Sequence, residues 1–171
     1  MQRTMSNEEL LTYLSGLQNQ SDDFKRFLHQ YVTGSAWIRS RGEEDVTVWK
    51  KLKGDELEVA KNIIISELSI IPDDSYIRAV GYFRDPKAIP ILKGIIETLP
   101  EEYLGEKLEA GKVLYDWIGY EKYLSMLENA YKHSKGSSLK YLKVSIGEFT
   151  SGFDADKKEY FIQMLNSNVN N

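Results

Sequence analysis

Apolar residues recur every three or four positions along most of the chain, which is the spacing of one face of an α-helix. Between positions 55 and 71 this stripe runs from Leu57 to Ile71, and Pro72 ends the predicted helix. Ser21, Asp73 and Asp85 precede similar stripes and are typical helix caps. The pattern predicts an all-α chain with helices over 6–19, from 21, over 55–71, 76–83, 86–99, 101–118, 120–133, 137–150 and 154–165, and a loop at 33–45.

Pairs of predicted helices repeat at intervals of 30 to 40 residues. In the first pair, Ala79 and Gly81 give one helix a small-residue face, and an Asp85-Pro86 turn leads into the second helix. Two later segments repeat the arrangement, with Ala110-Gly111 in the first and Ser145 and Gly147 in the second. We expect these small residues where the first helix of each pair presses against its neighbour.

The segment 78–92 carries an Asp-Pro turn followed by Ala88-Ile89-Pro90-Ile91-Leu92, and it resembles a HEAT-like repeat of the bacterial type. This resemblance covers residues 55–165. It implies a short right-handed α-solenoid, HEAT-like or armadillo-like, in which antiparallel helix pairs stack and the second helices line a concave face. Residues 1–54 are then an N-terminal helical cap, and 166–171 are a frayed tail on one compact domain.

Composition makes catalysis improbable. A chain of 171 residues can bury a sizeable core, but it contains no Cys and only two His. Asp154, Asp156 and Glu159 could approach one another as cation ligands, yet helix capping explains them better. We interpret Glu106 and Glu109 as part of a solvated helix face. We interpret His29 as a partly buried helix residue. We therefore predict no enzyme activity, no catalytic residue, no metal and no cofactor.

Charge and hydropathy restrict the partners. The formal net charge of −4 disfavours nucleic acid, and no apolar run approaches the roughly 18 residues of a membrane span, which predicts a cytoplasmic protein. An alternative remains, in which the chain resembles alkylpurine DNA glycosylases of HEAT-like fold. Its basic and aromatic residues would be Trp37, Arg39, Arg41, Trp49, Lys50, Lys51 and Lys53, which the acidic run 43–45 interrupts.

The preferred hypothesis is a protein-binding module. Aromatic residues make up 12% of the chain and include 11 Tyr, a residue that suits interfaces. The outward positions predicted on the second helices carry both signs of charge, which suits a protein partner: Lys93, Glu97, Glu121, Lys122, Ser125, Glu128 and Lys132. The function would be that of an adaptor or inhibitor, present as a monomer or weak dimer. One specific form is an immunity protein that neutralises a toxin.

Overall fold

A computed structural model describes residues 20–33, 47–133, 135, 142–143, 146–147, 150–152 and 155–167 of the chain. Within these residues every regular element is helical, which confirms the all-α prediction. None of the helices described is long and apolar enough to cross a membrane. The α-helices are α1 Asp22–Phe27, α2 Val48–Lys51, α3 Gly54–Leu68, α4 Asp74–Phe83, α5 Ile89–Thr98, α6 Leu104–Ile118, α7 Lys122–His133 and α8 Ala155–Ser167. A π-helix, Leu28–Thr33, continues α1.

Side-chain caps begin three of the helical segments where the sequence predicts them. The Ser21 hydroxyl accepts a hydrogen bond from the Phe24 amide at 3.0 Å. The Asp73 carboxylate accepts from Ser75 at 2.9 Å, and that of Asp85 accepts from Lys87 at 3.0 Å. Each cap satisfies an amide that has no partner within its helix, so these short segments start at defined residues. After Asp85 a 3₁₀ turn, Pro86–Ala88, leads into α5.

Several helix boundaries differ from the prediction, among them the end of α3 and the start of α6. Helix α3 ends at Leu68, not at Ile71, because a residue that precedes proline is disfavoured in the helical conformation and the chain turns before it. A 3₁₀ turn, Glu101–Tyr103, precedes α6 where the prediction has continuous helix.

Several predicted segments lie outside the described residues. They are the helix over 6–19, residues 34–45 of the predicted loop, and residues 168–171 of the predicted tail. Of the predicted helix 137–150, residues 142–143 and 146–147 are described and are helical. The predicted tail begins inside α8, which continues to Ser167.

The chain divides into two compact units, one up to Tyr120 and one from Glu121 onwards. In the first unit α4 packs against α3 and α6, and α5 packs against α6. In the second unit α7 contacts α8 and buries Tyr123, Leu127 and Tyr131. The predicted division into a cap of residues 1–54 and repeats over 55–165 stays a prediction.

Small residues allow α4 and α6 to approach closely. A Cβ atom added at Gly81 would lie 3.2 Å from Cγ2 of Val113, and Ala79 and Ala110 are fully buried. The predicted role of small residues is therefore confirmed for these two helices. It is wrong for Gly147, which is exposed and where an added Cβ would meet no described atom within 4 Å. Ser145 lies outside the described residues.

An aromatic cluster joins α1, α2 and α4. The Trp49 ring lies 5.3 Å from the ring centre of Phe27 and 5.0 Å from that of Phe83. Its indole N–H donates to the Tyr31 hydroxyl at 3.1 Å, and the Tyr76 hydroxyl donates to the Tyr31 carbonyl at 3.2 Å. Trp49 is only 7% exposed, so the sequence-based idea that it offers a surface ring to nucleic acid is wrong.

Candidate protein-binding face

Helix α5 buries one side and presents the other to solvent. Leu92, Ile95 and Ile96 are buried against the first unit, in which α6 packs on this helix. The opposite side carries residues at helical spacing that are exposed or half-buried. We call this side the α5 face, and it consists of Pro90, Lys93, Gly94, Glu97 and Thr98.

Gly94 leaves backbone uncovered at the middle of the α5 face. An added Cβ would meet no described atom within 4 Å, and the residue has no positive φ that would require glycine. A glycine inside a helix costs roughly 0.5–1 kcal/mol relative to alanine. Packing in the described chain does not explain this cost.

The two charges beside Gly94 have no ion-pair partner in the part of the chain that the structure describes. The Lys93 ammonium lies 5.9 Å from the ring centre of Tyr120, at the outer limit of a cation–π contact, and Glu97 is exposed. A Lys that precedes a Glu by four residues is in the less favourable order for an intrahelical pair. Both charges therefore remain available to a partner.

Helix α7 holds its charges differently. As predicted, Tyr123, Leu127 and Tyr131 form its buried stripe, although Leu124 is only half-buried. The predicted outward residues Glu121, Lys122, Ser125 and Lys132 are exposed, and Glu128 is half-buried.

The Lys132 ammonium lies 2.7 Å from the Glu128 carboxylate, in the favourable order of Glu before Lys. These two charges already neutralise each other. The five predicted site residues on α7 and directly before it lie in the second unit, whereas Lys93 and Glu97 lie in the first. The idea that all seven form one row stays a prediction, as does their role in binding.

An acidic cluster lies between the N-terminal parts of α4 and α6. Burial raises the pKa of Asp74 from 3.8 to about 6, and the charges of Glu106, Glu109 and Asp73 add to the effect, while Arg78 opposes it. Oδ1 of Asp74 is buried and accepts no hydrogen bond from any described residue. Glu106 and Glu109 are half-buried, so the prediction of a solvated face is wrong. Sequence reasoning missed the cluster because its members come from two helices.

The other candidate residues are Asp154, Asp156, Glu159 and His29. Among the described residues no group of three or more His, Asp or Glu could hold a metal ion. Asp156 is exposed, and Glu159 accepts a hydrogen bond from Gln163 at 3.1 Å. Asp154 lies outside the described residues. His29 is exposed, contrary to the prediction that it is partly buried.

The proposed basic cluster is only partly described. Lys50, Lys51 and Lys53 are exposed, and the Lys51 ammonium lies 3.8 Å from the Asp23 carboxylate. Trp37, Arg39 and Arg41 lie outside the described residues. With Trp49 buried, no described residue of this cluster can stack on a base.

Comparisons with protein-family models, with curated proteins and with solved structures found no match to this chain.

Proposed function

We propose that the chain is a non-catalytic protein-binding module, an adaptor or inhibitor, that contacts its partner through the α5 face. The observation that carries this proposal is that Lys93 and Glu97, on either side of the open backbone at Gly94, form no ion pair with any residue that the structure describes. A bare backbone admits close packing, and free charges of both signs fix the orientation of a protein partner.

The proposed architecture is a right-handed α-solenoid of HEAT-like type, with α5 and α7 as second helices of successive pairs. The close packing of α4 on α6 supports it, because these are the predicted first helices of those pairs. We place the protein in the cytoplasm, without nucleic acid or membrane as partner.

One specific form of the proposal is an immunity protein that neutralises a toxin. A net charge of −4 would complement a basic enzyme surface. In that case a toxin gene should neighbour the gene of this protein. Co-expression of the two should protect cells that the toxin alone kills.

The test is recovery of partners from the native host with purified, tagged protein. We expect the swapped variant K93E/E97K to lose the partners that the wild type recovers, because each of the two side chains then meets a partner charge of its own sign. The swap leaves net charge unchanged. Equal recovery by the wild type and the swapped variant would show that the α5 face does not bind.

A matched control is the swap E58K/K61E on α3, where the Lys61 ammonium lies 2.7 Å from the Glu58 carboxylate. This swap also keeps the net charge but lies on another helix. It should recover the same partners as the wild type. Circular dichroism before each experiment confirms that both swapped proteins are folded.

A further inference from the structure

The charge pattern of the α5 face is complementary to itself. Lys93 lies one residue before Gly94 and Glu97 lies three residues after it. With a rise of 1.5 Å per residue, these positions lie about 1.5 Å and about 4.5 Å from Gly94 along the helix axis, on opposite sides of it. A second copy of α5 therefore offers a charge of opposite sign to each of these residues. Whether opposite charges meet depends on the direction in which the two helices cross.

The direction follows from this spacing. If two α5 helices cross antiparallel with their Gly94 residues at the crossing point, Lys93 of each lies about 3 Å along the axis from Glu97 of the other. A parallel crossing would instead place Lys93 against Lys93 and Glu97 against Glu97. In the antiparallel arrangement two attractive Lys93–Glu97 pairs oppose one Lys93–Lys93 pair at the same axial offset of about 3 Å, so the sum is attractive. A two-fold axis perpendicular to the helices produces this arrangement.

We propose that the chain forms a two-fold symmetric homodimer in which the α5 faces cross antiparallel at Gly94. Two reciprocal Lys93 to Glu97 ion pairs flank the crossing. The molecule that we expect on the α5 face is a second copy of this chain, because the face supplies both members of each ion pair. Within the described chain neither Lys93 nor Glu97 forms an ion pair. Helix α5 has ten residues and is about 15 Å long, so the contact is small and the dimer is weak.

This dimer competes with the partner of the proposed function for the same face. A bound partner would therefore dissociate it, and a high concentration of the free chain would favour it. The inference does not depend on the identity of that partner, since self-association is measured with the purified chain alone.

Sedimentation velocity over a concentration series tests the dimer. The wild type should shift from monomer to dimer as its concentration rises. The single reversals K93E and E97K should each raise the dimer dissociation constant by about tenfold or more, because symmetry turns both attractive pairs into like-charge contacts. The double swap K93E/E97K restores two attractive pairs and should dimerise like the wild type.

Two further variants locate the contact. G94Q adds a side chain at the crossing point and should abolish the dimer, while its better helix propensity keeps α5 folded. E58K makes the same Glu-to-Lys change on the exposed surface of α3 and should dimerise normally. A wild type that stays monomeric throughout would overturn the proposal, and so would a dimer that K93E, E97K and G94Q leave unchanged.

The double swap separates the two proposals. It should lose the partner recovered from the host and keep the homodimer. A swapped protein that loses both would contradict the reciprocal pairing, and one that keeps both would contradict the binding of a partner through the α5 face.

Discussion

Replacement of Asp74 by Asn should make the protein more stable at neutral pH. Asp74 is the first residue of α4, where a negative charge normally favours the helix by about 0.3–1 kcal/mol. Here the charge also faces Glu106 and Glu109 in a half-buried position, and Oδ1 has no hydrogen-bond partner within the described part of the chain. The raised pKa shows that desolvation and repulsion outweigh the favourable helix dipole.

The magnitude follows from linkage between protonation and folding. A rise of the pKa from 3.8 to about 6 means that the folded state binds the proton more tightly than the unfolded state. Stability from this group is therefore fully present below the unfolded pKa and is lost as the pH rises through about 6. At 1.36 kcal/mol per pKa unit the loss would approach 3 kcal/mol, and solvent screening of this half-buried group reduces it to about 1–2 kcal/mol.

Because Asn does not titrate, the D74N variant does not lose this stability as the pH rises. D74N should therefore exceed the wild type by about 1–2 kcal/mol at pH 7, or roughly 2–8 °C in Tm. At pH 4.5 the difference should vanish or reverse. Urea denaturation of both proteins between pH 4.5 and 8 measures the difference, since groups remote from Asp74 titrate alike in both.

The matched control is D22N, because Asp22 is the first residue of α1 and follows an N-cap as Asp74 does. The Asp22 side chain is 96% exposed and lies 3.2 Å from the Lys25 ammonium. We therefore expect D22N to lower stability by a few tenths of a kcal/mol at pH 7. If D74N lowers stability as D22N does, and equally at every pH, the reasoning about the acidic cluster is refuted.

Two more predictions concern the packing and the backbone of the first unit. W49F should lower the free energy of unfolding by about 2–3 kcal/mol, since it leaves a gap in the aromatic cluster and removes the indole hydrogen bond to Tyr31. Urea denaturation measures this change, and a loss near zero would contradict that account. R84G should raise Tm slightly, because Arg84 ends α4 with a φ of +50° that glycine adopts without strain. A lower Tm for R84G would show that its side-chain bond to the Gly81 carbonyl outweighs the strain.

Local chemistry explains why so many helix starts were predictable. Ser21, Asp73 and Asp85 cap amides two or three residues ahead, so the residues that decide such a start are neighbours in the sequence. The buried stripe of α7 was predictable for the same reason, since it depends on spacing within one helix. The end of α3 was misplaced because the apolar stripe continues to Ile71 after the helical backbone has ended.

The sequence by itself determined an all-α chain, the starts of its helices and the outward positions of α5, because these depend on residues within a turn or two of one another. Only the tertiary structure decided that Trp49 is buried, that Glu106 and Glu109 act on Asp74, and that Gly94 faces open space. These properties depend on contacts between separate helices, or on their absence among the described residues. Spacing along one chain contains no information about which helix lies opposite.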